Sequence, residues 1–164
     1  MKQSTTLFLL AMSFFLFCSC NSGEESTQSM EQDEVRVDEL PRLPVEMVET
    51  LSTRCDNIQY IFIEYPVSFS QSDVGSVRQT LNFIQEETAL VPASCRPTAD
   101  MIFLGEGEIL ADAKLYFMDD CSYIVFEENG TPTYSHKLSE EGKSFYMGVL
   151  ENYYDQLQQQ QRQR

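Results

Sequence analysis

Apolar and polar residues change their spacing several times along this chain, and each change marks an element. From Leu7 to Cys18 the run LFLLAMSFFLFC carries one serine and no charge. Residues 21–40 then turn polar, acidic and poor in aliphatics, which predicts a flexible tether. A tether of that length reaches roughly 25 Å on average. LPRLP at 40–44 stiffens the chain ahead of VEMVETLSTRC, 45–55. There Val45, Val48 and Leu51 make a narrow stripe, and Pro44 suits a place at or before a first turn, so a short helix is expected. NIQYIFIEY, 57–65, is dense in β-branched and aromatic residues up to Pro66 and predicts a central strand, apolar on both faces. SQSDVGSVRQTLNFIQ, 70–85, opens with the capping residues Ser70, Ser72 and Asp73. Val74, Val77, Leu81 and Ile84 then recur at helical spacing.

The second half is richer in strands. Residues 86–99 hold two prolines and read as a loop. DMIFLGEG, 100–107, reads as a strand, and Gly105-Glu106-Gly107 as the hairpin turn into EILADAKLYFM, 108–118. Period-two alternation is clearest there. Ile109, Ala111, Ala113, Leu115 and Phe117 share one face; Glu108, Asp112, Lys114 and Tyr116 share the other. CSYIVFEE, 121–128, Asn129-Gly130 and TPTYSHKL, 131–138, form a second hairpin, with Pro132 marking an edge strand. Ser139 caps a last helix whose Phe145, Val149 and Tyr153 recur every fourth residue. The order predicts an α+β fold, an antiparallel meander sheet with helices packed on one face. The expected divisions are a leader at 1–19, an acidic flexible tether at 20–43, one α+β domain at 44–155 and a polar disordered tail at 156–164.

Charge narrows the partners. The chain carries 26 acids against 11 Lys and Arg, a net charge of −15. Nucleic acid is excluded as a partner, because phosphate contacts rest mainly on Lys and Arg. Anionic headgroups are equally poor targets for the domain surface. Beyond the leader lie Cys55, Cys95 and Cys121, an odd number, of which Cys95 and Cys121 are preferred as a disulfide because both border strands. The spacings give no C-x-x-C, no phosphate-binding glycine loop and no nucleophile elbow. No metal site and no cofactor are expected.

Catalytic chemistry finds little footing. His136 is the single histidine, and between Ser135 and Lys137 on an edge strand it reads as an exposed surface residue. Asp119-Asp120 and Glu127-Glu128 flank turns, where acids serve solubility; a hydrolytic pair would need one member buried and raised in pKa. Tyr60, Tyr65, Tyr116, Tyr123 and Tyr134 fall on predicted strands. Four of them, Tyr60, Tyr116, Tyr123 and Tyr134, would make a binding surface if they shared the face away from the helices. The competing reading is cross-strand packing.

The leader supplies the firmest location signal. Met1-Lys2, the apolar run and small Ser19 before Cys20 resemble the signal peptide and lipobox of bacterial lipoproteins, with Phe17 where such boxes usually carry an aliphatic residue. The resemblance implies lipid attachment at Cys20, loss of residues 1–19 and a membrane anchor of the kind two or more acyl chains provide. Asn21 and the acidic residues after it point to the bacterial outer membrane, with the domain periplasmic or surface-exposed. The expected function is a non-enzymatic binding or assembly module tethered by its N-terminal lipid, with an envelope protein or polymer as partner. The alternative is a carboxylate-dependent envelope hydrolase.

Overall fold

Alternating β-branched and aromatic residues, broken by Gly- and Asn-Gly turns, build most of the domain. The computed structural model describes residues 37–162; the expected leader, Cys20 and the expected tether up to residue 36 lie outside them. In chain order the elements are β1 Val37–Glu39, α1 Val45–Arg54, β2 Asn57–Phe62, β3 Ser68–Gln71, α2 Val74–Phe83, β4 Leu90–Pro92, β5 Ala99–Gly105, β6 Glu108–Tyr116, β7 Tyr123–Glu128, β8 Thr131–Lys137 and α3 Glu140–Arg162. Six strands form an antiparallel sheet ordered β3-β2-β5-β6-β7-β8, and β1 pairs with β4 in a separate ribbon. This is an α+β fold.

Register assigns the faces. Ile58, Tyr60 and Phe62 of β2 lie opposite Phe103, Met101 and Ala99 of β5, which lie opposite Ala111, Ala113 and Leu115 of β6. Leu115 and Ala113 lie opposite Ile124 and Phe126 of β7. This row faces the helices and joins Leu51 of α1, Val77 and Phe83 of α2, and Tyr146 and Leu150 of α3 in one core. Two close approaches lock the helices down. A Cβ at Gly142 of α3 would stand 2.7 Å from Phe83 Cβ, and one at Gly105 of β5 would stand 2.3 Å from the Arg54 carbonyl that ends α1. Both hairpin tips use left-handed pairs, Glu106 with Gly107 and Asn129 with Gly130, as two-residue turns between twisted strands require.

Several expectations change on the folded chain. The helix expected over 70–85 shrinks to α2, because Asp73 is the cap that accepts from the Gly75 and Ser76 amides, and the residues before it pair with β2 as β3. The expected loop at 86–99 contains β4, whose partner β1 lies in the expected tether, so the folded chain begins before residue 44. Leu43 is buried there, while Val45 and Val48 face water and Met47 takes the inward place. The expected disordered tail continues α3 to Arg162, since Gln, Leu and Arg sustain a helix once it is nucleated. Its buried stripe is Gly142, Tyr146 and Leu150, one residue off the expected one. A bulge opposite Phe103 and Leu104 turns Ile109 outward, 62% exposed, and sends Leu110 toward the core in its place.

Candidate functional site

The second face of the sheet divides into a covered half and an open half. Over β7 and β8 a strap returns from α2. Its Ala89 and Val91 pack with Leu40 on Tyr123, Val125 and Cys121. The Cys95–Cys121 disulfide ties the strap to the start of β7. Ser135 and His136 hold it in place. The Ser135 hydroxyl donates to the Ala89 carbonyl at 2.8 Å, and its amide donates to the Pro41 carbonyl. Lys137 and Glu87 complete the cover by backbone bonding, so the outer edge of β8 is closed from Ser135 to Lys137.

No described residue covers the remaining half. Register lines up Ser68, Ile61, Asp100 and Lys114 in one row, and Ser70, Gln59, Ile102, Asp112 and Glu127 in the next. Leu104 and Ile109 extend it. Ile61 is 46% exposed and Ile63 49%, although the residues between and beside them on β2 are fully buried on the other face. Alternation explains both facts, since successive side chains of one strand point to opposite sides. At the centre Lys114 Nζ donates to Asp100 Oδ1 at 2.6 Å and stands 3.9 Å from Glu127 Oε2. The Asp100 bond holds the ammonium above its ordinary pKa, so Lys114 is a fixed cation and not a base. Tyr116 bounds the patch; burial, then the Glu127 charge, pushes its hydroxyl up. Aliphatic contact area around one fixed ion cluster suits recognition of a surface, with β3 as the adjacent open sheet edge.

The four tyrosines that would make a binding surface on a shared face do not share one. Tyr60 and Tyr134 lie on the helix side, Tyr116 and Tyr123 on the other, because the strands carrying them pair in registers that alternate their faces. Tyr60 is fully buried, and its hydroxyl donates to Gln71 Oε1 at 2.7 Å, with Thr80 and Tyr146 hydroxyls at 3.1 and 3.3 Å. Burial pushes it up to about 12. Tyr116 and Tyr123 stack at 4.5 Å, with Tyr123 buried under the strap. Tyr134 donates to Glu128 Oε1 at 3.1 Å near the tip of the β7–β8 hairpin. Cross-strand packing therefore accounts for the Tyr116–Tyr123 pair, and a helix-to-sheet polar network for Tyr60.

His136 also departs from its expected exposure. It is 5% exposed; Nδ1–H donates to the Gln85 carbonyl at 2.6 Å and Nε2 accepts the Leu43 amide at 2.9 Å. Both ring nitrogens are used on backbone, which fixes the neutral tautomer and leaves neither for proton transfer. Cys55 is the free thiol among the described residues, half-buried, and burial pushes it up, away from reactive thiolate. Asp73 and Glu87 are held below the ordinary carboxylate range by Ser76 and Lys137, the opposite of what a general acid needs. Cys20 lies outside the described residues, as does any lipid site on it. No helix among the described residues is long and apolar enough to cross a membrane.

Sequence reasoning missed the open isoleucines because β2, apolar on both faces, was read as covered on both. The available signal was the short supply of cover: every helix in the order is needed on the one face that carries Tyr60 and Phe103. No protein-family model, no curated protein and no solved structure matches this chain.

Proposed function

We propose that this chain is a lipid-anchored binding module of the bacterial envelope, held to the outer membrane through Cys20, which takes hold of another envelope protein with the bare half of its sheet. The observation that carries the reading is the uncovered half-face itself. A fold that spends three helices and a disulfide-tied strap on burial leaves Ile61, Ile63 and Ile109 in water. Exposed aliphatics on one sheet face beside an open strand edge are a usual mark of an interaction surface. The Asp100–Lys114–Glu127 cluster sets orientation, since charge pairs mainly govern specificity and approach.

Two experiments test the parts separately. Cys20→Ser should move the protein from the membrane fraction to the soluble one; unchanged partition overturns the anchor. A photoreactive residue placed at Ile61 in intact cells should give one discrete covalent product with an envelope protein. The same probe on the solvent side of α3, at Gln159, should not, and Ile102→Glu should abolish the product. Equal labelling from both positions, or a product indifferent to Ile102→Glu, overturns the surface.

A further inference from the structure

A groove opens where the β7–β8 hairpin leaves β6. The β6–β7 pairing begins at Asp112 opposite Glu127, while β6 itself starts at Glu108. The β7–β8 register shifts between Phe126 and Glu127 beside this point, and Ile109 and Ala111 pair with β5 alone, with Leu110 unpaired between them at the bulge, so this stretch presents a free strand edge among the described residues. Into this gap opens a cavity of about 200 Å³, adjoined by a shallow, open depression that shares Met47, Leu110, Glu128 and Tyr134 with it. Their walls are apolar at the base, from Met47 and Leu110 to Phe126, and Met47 adds an adaptable thioether. Their rim is anionic: Glu46, Asp112, Glu127 and Glu128 line the two, and neither is lined by Lys, Arg or His. Lys114, bonded to Asp100 at 2.6 Å, also stands 3.9 Å from Glu127, so Glu46, Asp112 and Glu128 are the rim carboxylates with no ion pair among the described residues.

We propose that this groove docks an extended, basic–apolar peptide segment of a protein partner. Such a segment adds as a short strand along Ile109–Ala111, sets one aliphatic side chain on Met47, Leu110 and Tyr134, and points flanking Arg or Lys at the carboxylates. Each part answers a stated feature: strand addition meets the unpaired edge, the aliphatic side chain fills the apolar base, and the cations neutralise the rim. The inference deepens the binding-module reading and rests on it, because the groove shares Ile109, Asp112 and Glu127 with the bare half-face.

The test uses the full chain in detergent and two end-blocked fluorescent peptides, one alternating arginine with leucine and one alternating arginine with glycine. Charge is matched, so only the apolar base and strand preference separate them. We expect the leucine peptide to bind at least tenfold more tightly, with binding weakened as salt rises. Met47→Asp should erase that preference, and Glu128→Lys, at the exposed hairpin tip, should weaken both peptides several-fold with thermal unfolding unchanged. Equal affinity of the two peptides, or binding indifferent to both substitutions, overturns the groove. If the Ile61 cross-link forms while the peptides fail, the groove alone is wrong. If the peptides bind while the cross-link fails, the half-face is wrong and the groove stands.

Discussion

Along β2, Ile58, Tyr60 and Phe62 are out of water, while Ile61 between two of them and Ile63 just beyond stand about half in it. Isoleucine stands on both sides, yet one side meets three helices and the other, which also carries Gln59, meets solvent. On the helix side a substitution is felt through packing and unpaired polar groups. On the bare side it should be felt through association. That separation sorts the residues into those that hold the fold and those free to serve a partner.

The comparison breaks most visibly at α3. Tyr146→Ala removes a fully buried ring that meets Phe83, Phe117 and Tyr60. It should cost about 3–5 kcal/mol in chemical denaturation, against less than about 1 kcal/mol for Ile61→Ala. Comparable losses at both positions would show that something covers the bare half in solution. The strap comes next. Cys95 and Cys121 are 26 residues apart, and the paired Cys→Ser variant should lose about 3–4 kcal/mol by loop entropy. Hydrogen exchange should rise in Ala89–Cys95 and in β7 while β2 and β5 keep their protection. Gly142→Ala drives a methyl toward Phe83 at 2.7 Å and should cost about 1–3 kcal/mol. A neutral outcome there would mean that α3 rides looser on α2 than the packing implies.

Titration sharpens the same contrast. The Tyr60 hydroxyl, ordinarily near 10, is pushed up to about 12 by burial, and Tyr146 is pushed up as well. A group whose folded pKa is raised supports the fold fully below its unfolded value and loses that support as pH rises through the folded one. Stability should therefore fall from about pH 10 to about pH 12, and Tyr60→Phe should make that fall shallower. The smallest effect belongs to the bare face. A double-mutant cycle on Lys114→Met and Asp100→Asn should give a coupling of about 0.2–1 kcal/mol for this partly exposed pair, weakened by salt. A larger, salt-insensitive coupling would mean that the patch is drier than its exposure indicates.

Legibility followed the range of the interaction. Short-range signals located the hairpin at Asn129-Gly130, the Ser139 cap, whose hydroxyl accepts the Gly142 amide at 3.1 Å, and the Asp73 cap of α2. The pattern failed where a distant segment decided. His136 sits between polar neighbours and looks exposed until Leu43 and Gln85 arrive from far away in the chain to bond both ring nitrogens. The tyrosines could be placed on strands, but the face each takes depends on register with its neighbour. Ile109 alternates correctly with Ala111 on paper, and one bulge in the β5–β6 pairing reverses it.

By itself the sequence determined the α+β class, the hairpins and a strongly acidic charge balance. These rest on backbone propensity, turn geometry, period and charge, which act within a few residues. Only the tertiary structure decided which half of the sheet the strap covers, which ring nitrogens are occupied and where a strand edge stays open. Those outcomes depend on a limited supply of apolar cover shared among distant segments, and no window of the chain contains that sum.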